Sequence, residues 1–404
     1  MTDEKISRRT LLAAAAGALG ARAVERTGLT QAPQDPTKVP GAPVSQLGQR
    51  SPFNHPRRVP VGGDQGVSLT PLQDLCGIIT PSDLHFERHH AGVPAINPHD
   101  YKLLIHGMVE RQTVFNLEAL TRFPSVSRLH FLECSGNGSS SYRASQPNLS
   151  PQLVDGLTST SEWTGVPLAT LLREVGVKPG ATWFLAEGED AALMARSIPI
   201  AKAWDDGLVA YGQNGEALRP EQGFPARLLL PGWEGNANVK WIRRIEISDR
   251  PFMTREETSK YTDPLSNGTA RQFSFVMDAK STITFPAYPA VLPATGWWEI
   301  RGLAWSGRGR ISRVDVSTDA GRRWGTAELQ QPVLPKCHTR FRYLWNWDGK
   351  ETTLLSRAVD ETGYVQPTLD QLREARGRGT SYHFNHIRPW RVRRDGSVVF
   401  GLEG

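Results

Sequence analysis

The sequence predicts an α+β domain over residues 71–265, followed by an immunoglobulin-like β-sandwich over residues 270–404. In the first region, helix and strand signals alternate without the regular βαβ pattern of a parallel sheet. After about residue 270 the helix signals disappear, and short strand-like runs recur between turns. With 404 residues, the chain is long enough for two domains of ordinary size.

Two short helices are predicted in the first region. Asn116 can cap a helix over Leu117–Arg122, because its side chain can accept a hydrogen bond from the first helical turn. Pro167 can open a second helix over Leu168–Val175, and Gly176 can end it. The apolar runs that predict strands of this domain are Trp183–Leu185, Arg227–Leu230 and Val239–Ile247.

The strands predicted for the sandwich have the period of a half-buried sheet. Val314 and Val316 alternate with Arg313 and Asp315, so one face of that strand is apolar. A Thr-Asp-Ala-Gly turn follows at residues 318–321. The predicted strands of the sandwich are Trp297–Trp305, Ile311–Ser317, Arg340–Trp347 and Thr353–Val359.

The first 23 residues match a twin-arginine signal peptide. Arg8 and Arg9 precede a mildly apolar stretch over residues 13–20, and an Ala-x-Ala cleavage pattern follows at residues 21–23. This pattern predicts export of the folded protein to the periplasm. Residues 24–70 are rich in Pro, Gly and Gln, which predicts an extended arm or linker. The sequence has no apolar run of about eighteen residues, the length that a membrane-spanning helix needs.

Charge and cysteine content limit the classes of partner. The formal net charge is +6, and no block of Lys and Arg is long enough to line a nucleic-acid groove. Three cysteines are present, Cys76, Cys134 and Cys337, so at least one thiol is left without a disulfide partner. The sequence has no Cys-x-x-Cys-His motif, so we expect no c-type haem on this chain. Any electrons that it handles would pass to another protein.

Cys134 is the residue with the clearest chemical signal. The apolar run Phe131–Leu132 leads through Glu133 to this lone cysteine, and a Ser-Gly-Asn turn follows it. A thiolate presented at the end of a strand is either a nucleophile or a ligand for a soft metal.

Four further segments carry polar groups that suit a phosphate-bearing cofactor. They are the runs at residues 86–90, 209–215, 222–227 and 236–241, which contain Arg, Lys, His and Asn side chains. Zinc binding by His89 and His90 is disfavoured, because adjacent residues of a strand point to opposite faces. A thiolate among these groups favours a cofactor that contains a soft metal.

Taken in order along the chain, these segments resemble the sulfite oxidase family of molybdopterin enzymes. Within that family they are most similar to the molybdenum subunit of sulfane dehydrogenases of the SoxC type. The likeness runs from about residue 68 to the C-terminus and also includes residues 77–81, 157–165 and 360–367. It therefore covers both predicted domains.

The resemblance implies a molybdenum–molybdopterin cofactor with one pterin and with the metal bound by Cys134. Arg88 resembles the arginine beside the substrate, and Tyr211 resembles the tyrosine that hydrogen-bonds there. Gln222 stands where other members carry a histidine, and Asp190 is a weaker match because the loop before it is shorter. The remaining implied cofactor contacts are Phe86, Glu87, Arg88 itself, His89, His90, Arg227, Asn238, Val239 and Lys240.

The resemblance also implies partners. A c-type cytochrome subunit of dihaem type would accept the electrons, and a sulfur-carrier protein would present the substrate. The sandwich would form a homodimer, which gives a heterotetramer with the cytochrome.

One position departs from the family pattern and bears on the substrate. Sulfite oxidases carry a second arginine five residues after the ligand cysteine, where this chain has Ser139. Because sulfite is a small dianion, losing one buried charged contact would weaken its binding by about 1.5–3 kcal/mol. We therefore expect sulfane sulfur on a carrier protein as the substrate. A free-sulfite dehydrogenase is the alternative enzyme, and an exported binding protein without a cofactor is the alternative of another class.

Overall fold

The computed structural model describes residues 35, 38–143, 146–265 and 267–401. The predicted signal peptide over residues 1–23 lies outside these residues. Contacts divide the chain into residues 1–55 and residues 56–404, and every feature below belongs to the second unit. The domain bounds predicted within that unit remain a prediction.

The described residues form twenty-four strands. In the amino-terminal part these are β1 Val59–Val61, β2 Val67–Leu69, β3 Glu87–Arg88, β4 Leu103–Gly107, β5 Thr113–Phe115, β6 Val126–Glu133, β7 Thr158–Pro167, β8 Trp183–Gly188, β9 Ala195–Pro199, β10 Leu208–Gln213, β11 Glu216–Ala217, β12 Arg227–Leu229, β13 Ile242–Ser248, β14 Asp263–Pro264 and β15 Ala270–Arg271. In the carboxy-terminal part they are β16 Lys280–Phe285, β17 Gly296–Trp305, β18 Ile311–Ser317, β19 Gly325–Thr326, β20 Glu328–Leu329, β21 Thr339–Trp347, β22 Thr352–Asp360, β23 Trp390–Val392 and β24 Val398–Phe400.

The described α-helices are short. They are α1 Leu117–Arg122, α2 Ser139–Arg143, α3 Pro151–Asp155, α4 Leu168–Val175, α5 Ile200–Asp205, α6 Arg255–Thr258 and α7 Leu369–Arg376. Within the part of the chain that the structure describes, no helix has both the length and the apolar character to cross a membrane. Short helices combined with many strands confirm the predicted α+β class.

Two sheets of the amino-terminal part contribute to one apolar core. One sheet has the order β11-β10-β7-β6, with β12 also paired to β10, and the other has the order β5-β4-β13-β8-β9. β13 runs parallel to β4 but antiparallel to β8. The core takes Val209 from the first sheet, Phe184 and Ile245 from the second, and Leu171 from α4.

The carboxy-terminal part is a sandwich of two antiparallel sheets. Their strand orders are β16-β17-β21-β20 and β19-β18-β22-β23-β24. A second apolar core contains Ile300 and Phe341 from one sheet, and Val314, Leu354 and Trp390 from the other. The apolar side of the predicted alternation lies in this core at Val314 and Val316, but Asp315 on the other face is also buried.

Local signals located the first helices correctly. The Asn116 side chain accepts a hydrogen bond of 2.8 Å from the Ala119 amide, as expected of an N-cap, and the helix spans the predicted residues. Gly176 ends α4 in the left-handed region, with φ of +70°, where its amide donates to the carbonyls of Leu172 and Arg173.

Three features differ from the sequence prediction. Helix α7 lies in the region for which no helix was predicted, although Thr368 and Gln371 form a capping box at its start. The predicted arm over residues 24–70 contains β1 and β2, which pair with each other. The strand predicted from Val239 begins only at Ile242, because Trp241 before it has φ of +52° and leaves the extended region.

His338 connects the two parts of the fold and makes their packing sensitive to acid. Its Nε2 lies 2.9 Å from the Thr158 hydroxyl, and its ring stacks on Phe131 with 6.2 Å between ring centroids. Burial lowers the pKa of His338 to about 3. The unfolded chain therefore binds a proton below about pH 6.5 that the folded chain does not bind, and stability falls as the pH falls.

Replacing His338 with glutamine should remove part of this acid sensitivity. Between pH 6.5 and 4.5 the titration of His338 is expected to lower the free energy of unfolding by about 2–3 kcal/mol, and His338→Gln lacks that contribution. Urea unfolding at both pH values measures it, with exposed His99→Gln as the control. An unchanged pH dependence in His338→Gln would contradict the assignment.

Candidate active site

A cavity lies at the end of β6, beside the start of β12 and the loop before β13. It brings together most of the residues predicted from separate segments of the sequence. The predicted residues that line it are Phe86, Arg88, His89, His90, Cys134, Asp190, Gln222, Arg227, Asn238, Val239 and Lys240. Glu87 and Tyr211 are the two predicted residues that do not line it.

Cys134 directly follows β6 and faces this cavity. Its amide donates to the Leu157 carbonyl at 3.0 Å, and its carbonyl accepts from the Asn137 amide at 2.9 Å. Burial raises the pKa of the Cys134 thiol, whereas the Arg88 guanidinium acts in the opposite direction. A metal ion bound to the sulfur would favour the thiolate over the thiol.

Arg227 is a buried cation that has no carboxylate partner among the residues that the structure describes. Its two terminal nitrogens donate to the carbonyls of Gln222 and Asn238, at 3.0 and 2.9 Å, and its Nε has no hydrogen-bond partner. The guanidinium also lies over the Trp163 ring, 5.1 Å from the ring centroid. Burial lowers the pKa of Arg227 to about 9, because no neighbouring anion compensates for the lost hydration.

Lys240 is the second cation on this wall, and Glu87 acts on it through His89. The Lys240 ammonium lies 2.8 Å from Nδ1 of His89, and Nε2 of His89 lies 2.8 Å from the Glu87 carboxylate. Desolvation lowers the pKa of Lys240 well below its ordinary value, with Arg227 acting in the same direction. Glu87 therefore orients a cavity residue without lining the cavity itself.

Other polar side chains of the wall hold its loops in place. Asn238 accepts a hydrogen bond of 2.6 Å from the Leu230 amide and donates to the carbonyls of Trp233 and Glu234. Gln222 donates to the Phe86 carbonyl at 2.9 Å, and Asp190 accepts from the Met194 amide at 3.2 Å. These contacts fix the loop backbone around the cations.

Tyr211 is not among the residues that line the cavity, and its predicted role remains a prediction. It is half-buried on β10 and packs against the core that includes Val209. Side chains alternate between the two faces of a strand, and Ala210 packs in the cluster with Phe86 and Cys134 instead. The pairing of β10 with β7 shifts its register between Ala210 and Gly212, so simple alternation does not determine where the Tyr211 hydroxyl lies.

Tyr261 lines the cavity, although the sequence did not single it out. Its hydroxyl is 2.8 Å from Nε2 of His90, and it lines the same cavity as Cys134. Burial raises the pKa of Tyr261 above its ordinary value, so the hydroxyl stays protonated and can donate. The sequence around it carried little signal, because it follows the short helix α6 in a loop without an apolar pattern.

The two tyrosines give opposite expectations in kinetics. Tyr261→Phe should lower kcat/KM by roughly 10- to 100-fold, the effect expected when one hydrogen bond to an anionic substrate or cofactor is lost. Tyr211→Phe should leave kcat/KM close to that of the unmodified protein, since Tyr211 is not a lining residue of the cavity. Steady-state kinetics of both variants at equal cofactor content make the comparison. A large loss of kcat/KM in Tyr211→Phe alone would support the role that the sequence predicts for Tyr211.

Some lining residues lie in or beside the predicted segments: Asn236 and Trp241 belong to the segment at residues 236–241, and His85 precedes the segment at residues 86–90. In all, seven lining residues were not predicted as contacts of the cofactor or the substrate. These residues are His85, Leu132, Met194, Gly235, Asn236, Trp241 and Tyr261.

The lining fits an anionic cofactor that contains a metal. Three cations face the cavity, Arg88, Arg227 and Lys240, against one carboxylate, Asp190. The unpartnered Nε of Arg227 is a free donor for a phosphate or a ring acceptor. Among the described residues, no cluster of three or more His, Cys, Asp or Glu side chains could hold a metal ion. A metal at Cys134 would therefore take further ligands from its cofactor.

Two family models match the chain in succession. The oxidoreductase molybdopterin binding domain matches residues 90–256, and the Mo-co oxidoreductase dimerisation domain matches residues 271–389. Sulfite oxidase of Gallus gallus is 32% identical over 363 residues, which cover 82% of this chain and 78% of that protein. The chain belongs to the sulfite oxidase family of molybdopterin-dependent oxidoreductases.

A solved structure resembles almost the whole chain. A chain of the sulfane dehydrogenase SoxCD from Paracoccus pantotrophus is 45% identical, with a TM-score of 0.84, over 92% of this chain and 99% of that one. Other relatives are much longer than the match. An NADH nitrate reductase of Solanum lycopersicum is 32% identical over 74% of this chain, and the chain spans 37% of that protein. A mitochondrial sulfite oxidase of Drosophila melanogaster is 32% identical over 81% of this chain, and the chain spans 61% of that protein. The predicted family is confirmed.

Proposed function

We propose that this protein oxidises sulfane sulfur carried on a partner protein, at a molybdenum cofactor with one pterin. The observation that carries the proposal is the similarity to the sulfane dehydrogenase structure, at 45% identity over 92% of the chain. The cavity supports it, since a thiol and three cations lie together on its wall with one carboxylate.

Different residues of the cavity would bind the metal, the cofactor and the substrate of such an enzyme. Cys134 would bind the metal, and Arg227 and Lys240 would bind the anionic part of the cofactor. The bound cofactor would supply two-electron oxo-transfer chemistry. Arg88 would hold the anionic oxygen atoms of the substrate, and Tyr261 would donate a hydrogen bond beside them or relay a proton.

The electrons would leave to a c-type cytochrome subunit of dihaem type, because no haem is expected on this chain. The twin-arginine pattern at residues 8–9 favours a periplasmic location. The match to a dimerisation domain over residues 271–389 favours a homodimer formed through the sandwich. With the cytochrome, this gives a heterotetramer.

Free sulfite is the competing substrate, and the sulfite oxidases at 32% identity favour it. Ser139 distinguishes the two possibilities. It begins α2, its amide donates to the Gly136 carbonyl at 3.2 Å, and it is not a lining residue of the cavity. The serine replaces the second arginine that the family resemblance implies beside the substrate, which weakens the case for a small dianion.

The deciding experiment is cytochrome c reduction by the purified protein after its molybdenum content has been confirmed. Free sulfite and a thiosulfate-loaded carrier protein are compared, each with and without a dihaem cytochrome subunit. Turnover only with the loaded carrier and only with that cytochrome supports the proposal. Fast turnover of free sulfite without either would identify a sulfite dehydrogenase.

The Ser139→Arg variant sharpens this comparison. If the open position serves the carrier, the added arginine should improve apparent affinity for sulfite by about ten- to a hundredfold and impair turnover of the loaded carrier. Intact carrier turnover with no gain in sulfite affinity would show that Ser139 does not select the substrate.

A further inference from the structure

A fully buried ion pair links the carboxy-terminal sandwich to the residue directly before Cys134. Glu133 ends β6, and its carboxylate is inaccessible to solvent. One carboxylate oxygen accepts from the Lys280 ammonium at 2.5 Å and from the Asn137 amide group at 2.9 Å. The other accepts from Nε1 of Trp305 at 2.7 Å. Both oxygens are therefore satisfied, and two of the three donors come from the sandwich.

Lys280 also binds the backbone of the turn that follows Cys134. Its Nζ also donates to the Asn137 backbone carbonyl at 3.2 Å, and it is 1% exposed. The Asn137 side chain accepts from the Leu157 amide at 3.0 Å. Glu133 and Asn137 thus flank the cysteine, and both are bound to a single ammonium group from β16.

We propose that Lys280, with Trp305, is a positioning residue for the metal ligand, so that the sandwich completes the cofactor site of its own chain. Groups behind a metal ligand fix its orientation. Here those groups belong to strands β16 and β17 of the sandwich, which gives that part of the chain a role besides dimerisation. The proposal takes the assignment of Cys134 as metal ligand from the proposed function.

The inference follows from what a buried carboxylate requires. A charge without hydration or partners is unstable, so removal of Lys280 forces Glu133 to move or to seek other donors. Either response shifts the backbone of the residue that carries the thiol. A second buried lysine offers a comparison, because the bonds of Lys202 go to Asp206 at 2.6 Å and to the Pro231 carbonyl at 2.8 Å and, among the described residues, not to Glu133 or Asn137.

The test compares Lys280→Met with Lys202→Met in the full-length protein. Hydrogen–deuterium exchange of the peptide spanning residues 131–143 should be at least about tenfold faster in Lys280→Met and unchanged in Lys202→Met. In the cofactor-loaded protein, the paramagnetic resonance spectrum of the reduced metal should change in Lys280→Met alone. Lys280→Arg should restore both, because it keeps a buried donor cation.

Equal exchange and equal spectra in the two methionine variants would overturn the proposal. If Lys280→Met does not fold, Trp305→Phe removes only one donor to Glu133 and keeps the ring, and it should give the same local effects at smaller size. No effect on exchange or spectrum in Trp305→Phe would also contradict the proposal. The exchange measurement does not depend on the substrate, so its outcome is separate from that of the substrate assay.

Discussion

Replacing Cys134 with serine should abolish sulfur oxidation while leaving the fold intact. The thiol faces the cavity at the end of β6, and a thiolate is the strongest ligand for a soft metal in its lining. Loss of a group behind a metal ligand already costs roughly 10- to 100-fold in affinity or activity, so loss of the ligand itself should cost more. Serine differs only in the size and charge of one atom, so packing around it changes little.

The two other cysteines provide the controls for this variant. The Cys337 thiol is buried and donates to the Leu129 carbonyl at 2.7 Å, and Cys76 is exposed. Cys337→Ser and Cys76→Ser should keep full turnover. Activity at equal protein concentration, with molybdenum content measured on the same samples, separates a lost ligand from a lost cofactor. Wild-type turnover by Cys134→Ser with molybdenum bound would exclude Cys134 as the ligand.

The sequence predicted those parts of the fold and site that local patterns determine. Asn116 and Gly176 delimit helices through hydrogen bonds to neighbouring residues, so they can be recognised without tertiary structure. Cys134 and the cationic segments also stood out, because their residue types suit one chemistry. Helix α7 was missed although its capping box is a local signal, since the surrounding strand pattern outweighed it.

Features that depend on long-range packing were not predictable from the sequence. Whether Tyr211 or Tyr261 enters the cavity depends on the register of β10 and on the path of the loop after α6. The contact of Lys280 with Glu133 joins residues 147 positions apart. The residues at 239–241 read as the start of a strand, but the cavity wall holds Trp241 with positive φ instead.

Replacing Arg227 with methionine should prevent the protein from retaining its cofactor but should not lower the stability of the cofactor-free protein. The guanidinium is 3% exposed and bonds only to backbone carbonyls, so the cofactor-free protein carries an uncompensated buried charge. Burial lowers the pKa of Arg227 to about 9, below its unfolded value, so stability of the cofactor-free protein should rise as the pH increases above 9. Arg227→Met lacks this charge and this pH dependence.

Arg196 is the matched control for this variant, because it is equally buried but has anionic partners. It donates to Glu257 at 2.8 Å and to Glu234 at 3.1 Å. Arg196→Met removes the guanidinium from two buried carboxylates, although Glu234 keeps His383 at 3.3 Å and Glu257 still accepts from the Ser197 amide. It should lower the free energy of unfolding by about 3–5 kcal/mol. Arg227→Met without cofactor should instead be at least as stable to urea as the unmodified cofactor-free protein. When purified, it should contain less than about a tenth of the molybdenum of the unmodified protein, the size of loss expected for one charge-assisted contact. If Arg227→Met kept its cofactor, or lost stability as Arg196→Met does, the guanidinium would be part of the fold and not a binding group for the anion.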